Sequence, residues 1–441
     1  MLNPSLEPGV FEVPRPNQLL PRTGSDRYDK LGTDPSDRAG FEECLETGSS
    51  LGACPGRTLA SVQLASAPTP VHGADRRTTM DYGILLPTYI DMWREVEAAE
   101  EAGFSQAWFP DSQLIWSDCY AAMALAAEKT SRITLGTLVS IPSNRIAPVT
   151  ASAVATINKL APGRVVLTLG TGYTGRNTMG LPSYPVADFR EYAQQVRGLL
   201  NGEDVLFREG ERERWIRLIH GDHPDFINID DPIPIYLAAN GPKAMGVVGE
   251  LGDGWVTSGV SRHLADGFNV IQAGAEAAGR AYAKPYTVVL EGACVLGEGE
   301  ALMSPRVVER VGPIVSVRLH TMWETSKGKW GGNLPVNDAD LAARYHRYIS
   351  DYAAAKGHPA DRLYLDVHEG HYSYLKEGEA QFVEEERVAA TITGTGPQII
   401  EKLEELEAAG VDSIALATTS REGARELIED FSREVIAKRG G

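Results

Sequence analysis

Apolar and polar positions fall into a regular pattern only from Asp81 onward. Residues 82–87 (YGILLP) form a short, nearly unbroken apolar run. Such a run suits a strand covered on both faces, as in a parallel sheet. Residues 92–102 then show helical spacing and stop at Gly103, a residue that ends helices readily because it turns left-handed at little steric cost. The same pair of signals recurs along the chain. Strands are predicted at 105–110, 133–140, 164–169, 233–238, 254–257, 286–296 and 413–417. Helices are predicted at 120–129, 148–160, 187–200, 242–250, 262–280, 397–409 and 422–438. Eight β-then-α units predict an α/β protein with a parallel sheet. No break divides the units into halves, which favours a closed (β/α)₈ TIM barrel over an open doubly wound sheet.

Two insertions interrupt the alternation. Residues 204–231 mix charged and hydrophobic positions in the manner of a small hairpin. Residues 303–387 form a longer insertion, with helical spacing over 342–355. Insertions of that size between barrel elements commonly help to cover the active site.

Residues 1–79 differ in kind. They hold 17 Gly plus Pro, the aromatics Phe11, Tyr28 and Phe41, and no Trp. Hydrophobic periodicity is absent, and so little apolar surface does not offset the entropy of ordering a chain. Two readings stay open: a flexible extension, or a stretch upstream of a true start at Met80. The expected domain organisation is therefore 1–79 as an extension and 80–441 as the barrel with its insertions.

Composition narrows the function classes. The hydrophobic share of 43% and charged share of 23% are ordinary for a globular enzyme. The formal charge of −18 argues against nucleic acid and anionic membrane surfaces as partners. Cys44, Cys54, Cys119 and Cys294 are widely spaced with no CxxC pair, so neither a disulfide framework nor a zinc knuckle is expected. A reducing cytoplasm fits this usage. The chain lacks the roughly 18 consecutive apolar residues that a membrane helix needs, and its first residues lack a signal peptide's basic start and apolar core.

A TIM barrel carries its chemistry at the carboxyl ends of its strands. The residues just beyond the predicted strands include Thr88, the group Asp111-Ser112-Gln113, Ser140, Ser143, the run from Gly170 to Arg176, Asn240, Gly241 and Ser258. Gly170-Thr-Gly-Tyr-Thr-Gly175 matches GxGxxG after a strand. Gly180, Pro182 and Pro185 delay the next helix, and no acidic residue ends a second strand about 20 residues on, so a Rossmann site is not indicated. The glycines still let the backbone approach an anion or a ring closely, with a turn that needs positive φ as the plain alternative. Ala239-Asn-Gly-Pro-Lys243 is a second anion candidate. Pro242 suits the first helical position, and a helix amino terminus offers unpaired N–H groups to a phosphate; an ordinary βα loop is the alternative.

Metal chemistry is not expected. Residues 82–87 contain no His, and His368-Glu-Gly-His371 lacks the HExxH spacing. A nucleophilic serine is not indicated either, for want of a GxSxG elbow. His320, His368 and His371 are assigned to the insertion.

Four segments together resemble the luciferase-like superfamily, and within it the coenzyme F420-dependent reductases of the methylenetetrahydromethanopterin reductase type. They are Trp108-Phe-Pro-Asp-Ser-Gln113, Leu135-Gly-Thr-Leu-Val-Ser-Ile-Pro142, Gly170-Thr-Gly-Tyr-Thr-Gly-Arg-Asn-Thr-Met-Gly180 and Tyr236-Leu-Ala-Ala-Asn-Gly-Pro-Lys243. Residues 394–418 resemble the family's last helix and strand. The resemblance implies that Asp111 and Ser112 lie by the deazaflavin ring edge and that a non-prolyl cis peptide at Leu138-Val139 backs the ring. It further implies that Gly170, Thr171, Gly172, Tyr173, Thr174, Arg176 and Asn177, with Ala239, Asn240, Gly241 and Pro242, hold the cofactor's chain and phosphate. Sugar-phosphate-oxidising relatives carry Asp-His after the second strand and an acid in the glycine-rich turn. Ser112 and Tyr173 stand there in this chain, which argues against a glucose-6-phosphate type of reaction.

The function implied is hydride transfer between reduced F420 and a small organic substrate, with Tyr173 or His368 as the candidate acid. The alternatives are an FMN-dependent two-component monooxygenase fed by a separate reductase, and a non-catalytic flavin-binding barrel. Arg145, Arg176 and Lys243 could line a basic groove for the long chain of F420, which tilts the reading toward that cofactor. The resemblance also implies a homodimer packed through the early barrel helices.

Overall fold

A computed structural model describes residues 80–258, 264–326 and 339–439; the extension assigned to 1–79 and the first residues of the helix expected at 262–280 lie outside the described residues. The described residues belong to the unit Pro68–Gly441. Its strands are β1 (Asp81–Leu85), β2 (Gln106–Phe109), β3 (Thr134–Thr137), β4 (Val165–Leu169), β5 (Val205–Glu209), β6 (Arg212–Ile216), β7 (Ile235–Ala238), β8 (Gly254–Ser258), β9 (Tyr286–Val295), β10 (Ile392–Gly394) and β11 (Ser413–Ala417). Eight of them close a parallel barrel in the order β1-β2-β3-β4-β7-β8-β9-β11. Closure runs from Asp81 opposite Ser413 to Leu85 opposite Ala417. The expected barrel is therefore present, strand for strand. β5 and β6 form the antiparallel hairpin expected within 204–231. β10, which no apolar run in the sequence marks, is three residues long and extends the sheet alongside Ala293–Val295 of β9.

Side chains alternate between two apolar layers, as the two-residue period of a strand requires. Ile84 and Leu86 pack under the outer helices, whereas Leu85 points among Trp108, Leu138, Val166, Val256 and Val288 inside the barrel. Trp108 is fully buried there. It fits because its neighbours across β1 and β3 are Gly83 and Gly136: a Cβ at Gly136 would stand 2.7 Å from Trp108 Cε3. Gly136→Ala is accordingly expected to lower unfolding free energy by about 1–3 kcal/mol, the usual cost of overfilling a packed core. Chemical denaturation reads this as an earlier midpoint at unchanged slope. At the amino-terminal end of the barrel, Tyr286 Oη donates to Asp81 (2.6 Å), Gln106 Nε2 donates to Tyr286 Oη (2.7 Å), and Ser413 Oγ donates to Gln106 (2.6 Å). These bonds link Asp81, Tyr286, Gln106 and Ser413 across four strands at the end opposite the one that carries the chemistry.

The long insertion contains helices Pro305–Val315, Val317–Ser326, Ala339–Ala355 and Leu363–His368. It builds its own apolar cluster from Leu319, Met322, Leu341, Tyr345, Ile349, Val367 and Phe382. Ile314 and Tyr372 pack with the barrel-interior cluster. Trp116, in the loop after β2, donates to Ser373 Oγ (3.3 Å). The insertion thus meets the carboxyl end of the barrel. No helix among the described residues is long and apolar enough to cross a membrane.

Candidate active site

Three strand ends converge at the carboxyl face. Beyond β3 the Leu138–Val139 peptide is cis, with Leu138 buried and Val139 partly buried within the barrel-interior cluster. Ser140 then hydrogen-bonds across to the β4 edge, its N–H to Thr168 O (2.8 Å) and its carbonyl from Gly170 N–H (3.0 Å). Gly170 is needed at that crossing, since a Cβ there would come 2.6 Å from Val139 Cγ2.

The glycine-rich turn continues through Thr171, whose carbonyl accepts from Tyr184 N–H (2.7 Å). Gly172 follows at φ +79°. Gly180, Pro182 and Pro185 predict no helix before 187, yet a helical turn spans Tyr173–Asn177. Gly172 reverses the backbone into it, Thr178 Oγ1 donates to Thr174 O (3.1 Å), and Gly180 at φ +67° ends the segment. Only then does the long helix Val186–Leu200 begin. Gln113 fastens the turn from the β2 side, with Nε2 donating to Gly175 O (2.7 Å).

After β7, Ala239 is buried, and its carbonyl accepts from Trp255 Nε1 (2.8 Å). Asn240 ties this loop to the next one, accepting from Thr257 Oγ1 (2.8 Å). Gly241 caps helix Pro242–Leu251, with open space where its Cβ would be. The first N–H groups of a helix lack partners within it, so this end faces solvent with donors available.

Asp111 is buried and held. Arg145 donates to both its oxygens (3.3 and 3.2 Å), and Ser140 Oγ donates to Oδ2 (3.3 Å). Arg145 also pairs with Asp118 and stacks 4.4 Å over the Tyr120 ring. Arg145 is therefore turned inward to Asp111 and is not a wall of an open basic groove. Arg176 donates to Pro182 O and sits 5.6 Å over Tyr184. Of Arg145, Arg176 and Lys243, Lys243 is the exposed one, on the first turn of its helix. Arg145→Leu would strand the buried Asp111 carboxylate. We expect a loss of about 2–3 kcal/mol, below the range for fully buried pairs because Arg145 retains some solvent contact; thermal unfolding checks it.

Ser112 is buried beside Asp111, with its carbonyl accepting from Ile115 and Trp116 N–H groups. Tyr173 lies with Thr321 and Asn177 near its hydroxyl, and burial pushes its pKa above the ordinary phenol value. A phenol that stays protonated can donate to a developing anion but is a poor base. His368 does not reach the glycine-rich turn by any described hydrogen bond; its Nε2 faces Glu324 Oε1 (3.2 Å). His371 does reach it. Its Nε2 meets Thr174 Oγ1 (3.0 Å), and its Nδ1 meets His320 Nδ1 (2.7 Å). Burial holds both His320 and His371 well below the ordinary imidazole pKa, in the neutral form. Around them, Tyr345 Oη and Lys376 Nζ reach Glu379 Oε1 (2.8 and 2.7 Å). None of this network was legible as a motif, because its members are scattered over the insertion.

Residues 67–413 match the model of the luciferase-like monooxygenase family. The chain belongs to that family. It is 36% identical over 198 residues to an F420-dependent glucose-6-phosphate dehydrogenase of Kineococcus radiotolerans, covering 41% of this chain and 57% of that one. It is 34% identical over 188 residues to a 5,10-methylenetetrahydromethanopterin reductase of Methanolobus tindarius, covering 41% and 54%. The chain thus spans about half the length of the curated relatives it matches. Among solved structures, the coenzyme F420-dependent tetrahydromethanopterin reductase from Methanopyrus kandleri superposes with a TM-score of 0.60 at 22% identity, covering 81% of this chain and 99% of that one. That likeness establishes the fold of a luciferase-like barrel.

Proposed function

We propose that this luciferase-like chain is an oxidoreductase that transfers a hydride between reduced coenzyme F420 and a small organic substrate. The observation that carries the proposal is the convergence of the Leu138–Val139 segment, the glycine-rich turn and the open helix start at Gly241 on one barrel face. The names of relatives that match 41% of the chain support F420 over FMN. The residues fit such a cofactor. Gly170 lets the turn lie against Val139 without a clash, and Gly241 leaves space at unpaired N–H groups suited to a phosphate.

F420 supplies the hydride when bound. The protein's part is to orient, to exclude water and to place protons. Leu138 and Val139 offer an apolar backing, Thr171 to Asn177 and Ala239 to Pro242 hold the cofactor's chain, and Asp111 and Ser112 flank the ring edge. Tyr372 and Trp116, packed 6.5 Å apart, close part of the face against water. Tyr173 is the candidate acid for a substrate proton. His368, the other candidate, is tied to Glu324, and His371 is the insertion imidazole that meets the turn.

The test is direct. Purified chain should quench F420 fluorescence on binding and bind it far more tightly than FMN. Tighter binding of FMN would replace this reading with that of a two-component monooxygenase fed by a separate reductase. Binding of either cofactor with no turnover across a broad substrate panel would leave a ligand-binding barrel.

A homodimer in the cytoplasm belongs to the same proposal. Leu125, Ile146, Val149 and Leu160 are exposed apolar side chains on or beside helices Cys119–Lys129 and Ala147–Leu160. Burial of this face would remove them from water. Light scattering should give twice the chain mass, and Val149→Glu should halve it; a wild-type chain that is monomeric would sink the idea.

A further inference from the structure

We propose that His320, His368 and His371 bind a divalent transition-metal ion inside the insertion. The absence of a metal motif along the chain argues the other way, but chain spacing reports only the pair His368 and His371. Folding brings His320, from helix Val317–Ser326, against both.

Two observations carry the proposal. The first is ring placement. The ring centres are 4.9 Å apart for His320 and His371, 5.4 Å for His320 and His368, and 5.3 Å for His368 and His371. Nitrogens about 2.0–2.1 Å from a tetrahedral ion put imidazole centres about 5.2 Å apart. One nitrogen from each ring lies within 4.8 Å of one from each of the others. The tightest pair, the two Nδ1 atoms at 2.7 Å, has to open by about half an ångström to reach tetrahedral spacing.

The second is orientation. The Nε2 atoms of two rings are hydrogen-bonded to oxygens, Thr174 Oγ1 at 3.0 Å from His371 and Glu324 Oε1 at 3.2 Å from His368, whereas His320 Nε2 is buried without a hydrogen-bond partner, 3.6 Å from Glu379 Oε1. A carboxylate or hydroxyl on the outer nitrogen of a ligating imidazole is the usual support of a histidine metal site. The inner nitrogens of His320 and His371 meet one another, while His368 Nδ1 is buried with no hydrogen-bond partner. An ion between the rings would take all three lone pairs.

Imidazole ligands with nearby carboxylates suit zinc, and cobalt reports the same geometry. Through Thr174 the ion would clamp the insertion onto the glycine-rich turn.

The test uses the untagged full chain, stripped with a chelator and without cofactor, so its failure does not bear on F420 binding. Titration with Co²⁺ should produce the visible bands of a tetrahedral site. Loading with Zn²⁺ should displace the cobalt and leave one ion per chain by elemental mass spectrometry. His368→Ala should abolish the bands. Replacing the exposed pair, His220→Ala with His223→Ala, should leave them. If His368→Ala does not fold, Glu324→Gln serves instead, with an expected affinity loss of about 10–100-fold. A wild-type chain that retains no ion and shows no bands overturns the proposal, as does a folded His368→Ala or Glu324→Gln variant that binds as tightly as wild type.

Discussion

Lys376→Met is expected to destabilise the chain by about 3–5 kcal/mol, the cost of leaving one member of a buried ion pair without its partner. Lys376 and Glu379 are both almost wholly inaccessible to solvent, with Nζ 2.7 Å from Glu379 Oε1. The ammonium also donates to Val367 O (3.2 Å) and Glu369 O (3.1 Å). Glu379 in turn accepts from Tyr345 Oη (2.8 Å) and from Lys376 N–H (3.0 Å). Burial holds the lysine below its ordinary pKa, and Glu379 partly offsets that. Methionine fills a similar volume, so the loss reports the stranded carboxylate and two unpaired carbonyls rather than a cavity. The double variant Lys376→Met with Glu379→Leu should recover a large part of the loss, because it removes both charges together. Thermal and urea unfolding of the two variants decide the matter: equal losses would mean that the pair contributes by packing alone.

Gly172→Val is expected to lower F420 affinity by about 100-fold, the scale on which a misplacement near 1 Å acts in a preorganised site. Gly172 sits at φ +79°, where a β-branched residue is strained. Its Cβ would meet Ile141 Cγ2 at 2.9 Å. Relief requires the turn to move, and with it Tyr173 and Thr174. Part of the change will be a stability loss of about 1–3 kcal/mol, so a control is needed. Gly210, at the tip of the β5–β6 hairpin, has φ +59° and nothing within 4 Å of its Cβ position. Gly210→Val should lose stability for the same backbone reason and leave cofactor binding alone. If both variants bind F420 like wild type by fluorescence titration, the glycine-rich turn is not a cofactor site.

The two variants probe regions of very different legibility. The glycine-rich turn could be found from the chain alone because its members are adjacent and each glycine has a local reason: a close approach at Gly170, a positive φ at Gly172. Lys376 and Glu379 lie in the insertion with no local sign that they are buried. Charged residues are usually solvated, and only packing against Tyr345 and the 367–369 carbonyls makes these exceptions. Arg145 shows the same limit. It reads as an exposed basic residue near an anion site, and the structure spends it on Asp111 and Asp118.

What the chain determined by itself was the barrel and the address of its chemistry. Apolar runs such as 82–87 and 164–169 are buried on both faces, and helical stripes between them cover the outside. Those periodicities are local properties of strands and helices, so they survive in one dimension, and eight such units without a break favour a closed barrel. Tertiary structure decided what fills and covers that barrel: Trp108 between Gly83 and Gly136, the inward turn of Arg145, and the meeting of His320 with His368 and His371. These depend on which distant segments share a volume. Side chains brought together that way have no period or spacing to announce them.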